Sequence, residues 1–215
     1  SLSACPATTL SEFQSKALLA EAGVRIPRSA CCPIADAGSA TCNIGFPAVV
    51  KATGMAHKTE AGGVALNLAS SEEVQAAADA MSNITGDVLI EEMIAGAVCE
   101  LIVGVTRDPQ FGLALVIGAG GILTELMADS ATVLLPASRS DIETALESLK
   151  VSRLISGYRG KAGDLAATLD AIETVARFAG ENAATLEELD INPLMVLAPG
   201  KGAVATDALV SMRNI

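Results

Sequence analysis

Leu10, Phe13, Ala17 and Leu18 recur at the spacing that gathers apolar side chains on one face of a helix. Thr9-Leu-Ser-Glu12 reads as a capping box at its start, and Gly23 stands where a left-handed cap would end it. The period then shortens. Residues 24–32 and 46–52 read as strands, the second ending in Lys51-Ala52, while the Ala/Gly/Cys-rich stretch 33–45 has no clear period. After a glycine-containing loop the alternation returns at 64–68, and Ser71-Glu-Glu opens a helix to about Met81. A β-rich middle follows at 87–93, 98–105 and 113–117. Helical spacing resumes at 140–150 and at 163–180, where Leu165, Leu169, Ile172 and Ala176 form a stripe, and strands are expected at 186–191 and 203–208. Strands and helices mix without a steady β-α-β alternation, so the pattern predicts an α+β protein in two lobes rather than a doubly wound sheet.

Composition narrows the chemistry. Half of the 215 residues are hydrophobic but only 2% are aromatic, so the core must be built from Ala, Val, Leu and Ile. A net charge of −11 argues against nucleic acid, which rewards clustered Lys and Arg. It leaves room for a nucleotide, since a divalent metal and a few local lysines can reverse the field inside one cleft. The five cysteines, Cys5, Cys31, Cys32, Cys42 and Cys99, contain no C-x-x-C pair, and His57 is the single histidine, so no usual zinc set is complete. Reduced thiols in a cytoplasmic protein are the expectation. The longest charge-free run, 109–124, is 16 residues with four glycines, short of the roughly 20 apolar residues a membrane span needs. No membrane association is expected.

Four segments bear groups able to do chemistry. In VVKATGMAHKTEAGGVALNL, Lys51 ends a strand, and Gly62 and Gly63 allow close backbone approach to a ligand, or simply a flexible hairpin. His57 between Lys51 and Lys58 is either a surface histidine or a nucleophile that accepts a phosphoryl group near neutral pH. In VLIEEMIAGAVCELIVG, two apolar strands joined by a short connection put Glu92 and Glu100 at either side. Such a hairpin could hold a ribose and an adenine edge, or be an exposed tip facing water. In ELDINPLMVLAPGKGAVATDAL, Asp190 and Asn192 share one face of a strand by their i, i+2 spacing, and Asp207 can meet them from the next strand. Carboxylate and carboxamide oxygens suit Mg²⁺ held jointly with phosphates. In RDPQFGLALVIGAGGILTELMAD, the glycines 118, 120 and 121 form neither a dinucleotide fingerprint nor a P-loop. They mark a tight connection close to a ligand, with Glu125 just beyond, either lining that site or on the plain surface.

Taken together, the stretches SEFQSKALLAEAGVRIP, FPAVVKA, HKTEAGGVALNL, RDPQFG, GAGGILTEL, GYRG and ELDINPL resemble, in order and over nearly the whole chain, the ATP-grasp module of ADP-forming acyl-CoA synthetases. These are relatives of the succinyl-CoA synthetase β subunit. The resemblance implies an ATP-grasp fold whose two α+β lobes enclose a nucleotide cleft. The small lobe would run over about 24–92, and the large one over about 93–215 with the N-terminal helix 9–22. It implies ATP/ADP and Mg²⁺ as ligands, with Lys51, Gly62 and Gly63 on the phosphate side, Glu92, Met93 and Ile94 at the adenine, and Glu100 at the ribose. Asn192 and Asp207 would hold the metal, and His57 would be a mobile phosphoryl carrier. The family's usual HKSD is HKTE here, and the acidic helix expected over 33–45 is missing. The reaction implied is acyl-CoA + ADP + phosphate ⇌ acid + CoA + ATP, with this module making only the exchange between phosphohistidine and nucleotide. A CoA-binding and ligase module, as an α-type subunit or a fused domain, is the implied partner. A non-catalytic nucleotide sensor, or a carboxylate–amine ligase working through a free acyl phosphate, would have no use for His57.

Overall fold

The computed structural model describes residues 7–54, 62–121 and 129–213. The chain divides into two compact units, one made of residues 27–95 and the other of 1–26 together with 96–215.

The unit 27–95 is built on a four-stranded antiparallel sheet. Strands β2 (Ser29–Pro33), β3 (Ala48–Ala52), β4 (Val64–Leu68) and β5 (Asp87–Glu92) lie in the order β2-β5-β3-β4. Strand β3 is central and reads almost continuously apolar because it is covered, with Ala48, Val50 and Ala52 fully buried. The covering element is the helix Ser71–Ala80. Ser70 caps it by accepting from Glu73 N–H, and Val74 and Ala78 turn inward against Val50, Val88 and Ile90. The stretch without a clear period, 33–45, folds as short helical turns around Ala37–Ala40. Residues 24–28 are not part of a strand, and β2 begins only at Ser29.

The other unit holds a seven-stranded sheet. Strands β1 (Ala7–Thr9), β6 (Cys99–Asp108), β7 (Gly112–Ala119), β8 (Ser130–Leu134), β9 (Leu186–Val196), β10 (Ala203–Ala205) and β11 (Ala208–Arg213) make it up. Their order is β1-β11-β9-β6-β7-β8, with β10 pairing β9 beyond β11. Helix α1 (Glu12–Ala22) packs on β11, and the helices Arg139–Ser148 and Leu165–Glu181 pack on each other and on the sheet. Leu169, Ile172, Val175 and Phe178 of the last helix are buried against Leu101, Val103, Leu189 and Ile191. Each such side chain contributes about 1.5–3 kcal/mol of transfer free energy. Among the described residues no helix is long and apolar enough to cross a membrane.

Three local expectations are corrected. The segment 88–104 is not a hairpin, because β5 pairs with β2 and β3 while β6 pairs with β7 and β9 in the other sheet. The capping box of α1 is Ser11 with Gln14, not Thr9 with Glu12: Ser11 Oγ accepts from Gln14 N–H and the Gln14 side chain accepts from Ser11 N–H. Thr9 is instead engaged in β1, paired with Ser211. The buried face of α1 is Ser15, Lys16 and Leu19, and Phe13 is exposed. Gly23 ends the helix in the left-handed conformation, its N–H reaching the carbonyls of Leu19 and Ala20.

Candidate functional site

In the unit 27–95 the functional side chains hang from the ends of β3 and β5. Val49 lies opposite Glu91 and Lys51 opposite Leu89, so Lys51 and Glu91 are diagonal neighbours on one face of the sheet. The Lys51 ammonium sits 2.9 Å from the Glu91 carboxylate, and both are largely withdrawn from water, at 11% and 2% exposure. Glu91 is the residue that pattern reading passed over. The doubled acid in LIEEM offers a signal, because alternation sends two neighbouring side chains to opposite faces and one of the two must be buried. Glu92 takes the other direction. Its carboxylate accepts from the backbone N–H and Nε of Arg28, at 3.2 and 2.7 Å.

The backbone after β5 is partly committed. Glu92 N–H donates to Arg28 O and Met93 N–H to Pro47 O. Ile94 N–H has no such partner among the described residues. Gly63 is buried where the 53–63 loop rejoins β4, its carbonyl accepting from Ala52 N–H at 2.7 Å. Gly62 has φ +73° and open space around it, so the backbone there can come close to a ligand. His57 and Lys58 lie outside the described residues, as does Glu125.

In the other unit Glu100 stands on β6 beside the turn after β7. Gly120 N–H donates to Glu100 O at 2.8 Å. A Cβ at Gly121, where φ is +66°, would stand 2.6 Å from Glu100 Oε2, and one at Gly120 would stand 3.0 Å from its backbone carbon. The GAGG turn is therefore glycine-rich because it closes over Glu100, which makes both glycines part of what shapes that carboxylate's surroundings.

Asn192 and Asp207 come together as the alternation predicts. They extend the β9–β11 register in which Ala208 opposes Ile191, and Asn192 N–H donates to Asp207 O at 3.2 Å. Asp190 is on the same face of β9, against Gly104 of β6, where a Cβ would come within 3.7 Å of Asp190 Oδ1. Burial pushes the Asp190 carboxyl above the usual carboxylate range, and the charges of Glu188 and Asp207 add to it. This corner is thus rich in hard oxygen atoms and in acidic side chains, a donor set that suits Mg²⁺. Among the described residues no three His, Cys, Asp or Glu side chains converge as a complete metal site. Asn192 and Asp207 would supply part of a shell that phosphate oxygens and water complete.

Comparison with known proteins identifies the family and the fold. A family model of the ATP-grasp domain matches residues 2–212. The chain is 29% identical to the acetate–CoA ligase [ADP-forming] II subunit beta of Pyrococcus furiosus, covering 96% of this chain and 93% of that one. It is 34% identical to acetate–CoA ligase [ADP-forming] II of Archaeoglobus fulgidus, covering 94% of this chain but 30% of that protein. The chain thus spans about a third of the length of such longer relatives. Among solved structures it resembles the dinucleotide forming acetyl-coenzyme A synthetase 1 of Ca. Korarchaeum cryptofilum, with TM-score 0.84 and 32% identity over 95% of this chain and 93% of that chain. That protein was solved in complex with coenzyme A and Mg-AMPPCP, its phosphohistidine segment pointing towards the nucleotide binding site. The chain belongs to the ATP-grasp domain family and is homologous to the β subunits of ADP-forming acetate–CoA ligases.

Proposed function

We propose that this chain is the nucleotide-handling part of an ADP-forming acyl-CoA synthetase, passing a phosphoryl group between His57 and Mg-nucleotide. One observation carries the reading. The likeness runs over 95% of the chain to a synthetase bearing a phosphohistidine segment, and this sequence keeps one histidine in all, in a His-Lys-Thr-Glu segment of the β3–β4 loop.

In the ATP-consuming direction a ring nitrogen of His57 attacks the γ-phosphorus, the bond to the β-phosphate oxygen breaks, and ADP leaves with that electron pair. Lys51 supplies positive charge to the phosphate oxygens while Glu91 holds its ammonium in place. Gly62 and Gly63 let the loop backbone approach the phosphates. Met93 N–H is engaged with Pro47 O, so the adenine edge is met by the remaining backbone groups of Glu92 to Ile94. Glu100 accepts from the ribose hydroxyls, and Asn192 and Asp207 hold Mg²⁺. The bound cation neutralises phosphate charge. Homology to β subunits implies a CoA-binding partner of α type, as a separate subunit or a fused domain, and that module makes and breaks the thioester. The net reaction is acyl-CoA + ADP + phosphate ⇌ acid + CoA + ATP.

Calorimetry tests the reading. The double change Asn192→Ala, Asp207→Ala should weaken binding of ATP with Mg²⁺ by roughly 2–4 kcal/mol, the scale of lost charge-assisted contacts. Unchanged affinity would remove the metal assignment.

A further inference from the structure

A lysine is buried on the inward face of the first helix. Lys16, on the inward face of α1, is 1% exposed and is among the largest fully buried side chains. Its ammonium lies 2.6 Å from Glu12 Oε1, one helical turn earlier, and donates to Thr206 O at 3.2 Å. Burying an ion pair in this way is on average no more stabilising than an apolar pair of similar volume. A methionine or leucine at 16 would serve the core of α1 as well, so the charge itself calls for an explanation.

The atoms that Lys16 reaches supply one. Thr206 precedes Asp207, and its N–H and hydroxyl both point to Pro193 O, at 3.1 and 3.3 Å. Pro193 follows Asn192, whose N–H donates to Asp207 O. Ser15, the neighbour of Lys16, is also buried and accepts from Val210 N–H at 3.0 Å through its hydroxyl. Two polar residues of α1 therefore clasp the backbone on either side of Asp207, and the clasp continues through Thr206 to Asn192.

We infer that Lys16, oriented by Glu12, is a positioning residue for the cation site. It fixes the 206–207 backbone so that the Asp207 carboxylate and the Asn192 carboxamide face the same point, and it places a cationic group behind an otherwise acidic corner that includes Asp190. This inference rests on the assignment of Mg²⁺ to Asn192 and Asp207 made above. Groups that orient metal ligands from behind typically matter by 10–100-fold in metal affinity.

The test compares affinity for ATP in Mg²⁺ and in EDTA for the full chain and for Lys16→Met, Glu12→Gln and Asp207→Asn. Direct Mn²⁺ binding, followed by electron paramagnetic resonance, gives a second readout. Lys16→Met should lower the Mg²⁺-dependent part of the affinity, and Mn²⁺ binding with nucleotide, by about 10- to 100-fold, with metal-free affinity retained. Glu12→Gln keeps the volume and should show the same loss in weaker form; it decides the question if Lys16→Met does not fold. If Asp207→Asn loses the Mg²⁺ enhancement while Lys16→Met and Glu12→Gln keep it, the positioning role is wrong and the metal assignment stands. If Asp207→Asn keeps the enhancement, the metal assignment fails and this inference with it. Equal loss with and without metal would mark a purely structural lysine and overturn the proposal.

Discussion

Lys51 has two tasks in this account, and a substitution can separate them. Lys51→Met keeps most of the stem and removes the ammonium 2.9 Å from the Glu91 carboxylate. At an effective dielectric of about 20, charges at that distance attract by about 6 kcal/mol. Desolvation of the pair offsets much of this. What the variant registers is a carboxylate, 2% exposed, deprived of its ammonium, and such losses run to about 3–5 kcal/mol. Urea titration followed by circular dichroism should show the midpoint falling by at least about 1 M, given slopes of about 1–3 kcal/mol per M. The double variant Lys51→Met, Glu91→Leu removes both charges and should regain most of the stability. It should not regain affinity for ATP, because the phosphates still lack their lysine. An unchanged midpoint for Lys51→Met, or stability effects at 51 and 91 that add to within about 0.5 kcal/mol, would refute the argument that the pair is coupled. Recovery of nucleotide binding in the double variant would refute the phosphate role.

Two further outcomes follow from local geometry. Gly121→Ala places a methyl 2.6 Å from Glu100 Oε2 at a φ of +66°. It should cost about 1–2 kcal/mol in backbone conformation, seen as a lower thermal midpoint, and should weaken ATP binding by displacing Glu100; unchanged melting and binding would contradict the closure seen there. Asp164 caps the helix Leu165–Glu181 by accepting from Ala167 N–H and also accepts from Gly200 and Gly202 N–H. Asp164→Ala should cost about 1–2 kcal/mol near pH 7. Those donors, Ala167 first and then Gly202, hold the carboxyl below its ordinary value. The folded state therefore gains from its ionisation above the unfolded value of about 4, and the gain is lost as pH falls through the lower folded value. The stability gap between wild type and variant should narrow as the pH falls below about 4, and a gap that does not narrow on acidification would exclude the carboxylate as its source.

What the sequence revealed, and what it hid, follows from the physics of each segment. The helix Ser71–Ala80 is visible because its apolar period is matched by one covered face and a clear cap, and strand β7 because its continuous apolar run is buried nearly throughout. The neighbourhood of Asn192 and Asp207 is visible for a related reason, since alternation and one turn bring them side by side. Pattern alone joins β5 and β6 into a hairpin that the fold does not contain, because two apolar runs look alike whether the chain turns back or passes to another sheet. The buried face of α1 is hidden from pattern reading because it mixes Leu19 with two polar residues, Ser15 and Lys16, that reach backbone groups nearly two hundred residues away. For Glu91 the doubled acid signals one buried carboxylate, but its partner Lys51 is fixed by register rather than by spacing. Strands β1 and β8 are short edges whose existence depends on their neighbours.

The central claim is that His57 carries phosphate. Incubated with γ-labelled ATP and Mg²⁺ together with the proposed CoA-binding module, the chain should take up a label that is lost in acid and kept in base, the behaviour of a phosphoramidate. His57→Ala should show no such label and no phosphoryl exchange, while binding ATP with Mg²⁺ as tightly as the wild type. A label that persists in the His57→Ala chain, or exchange at the full rate without that histidine, would contradict the account.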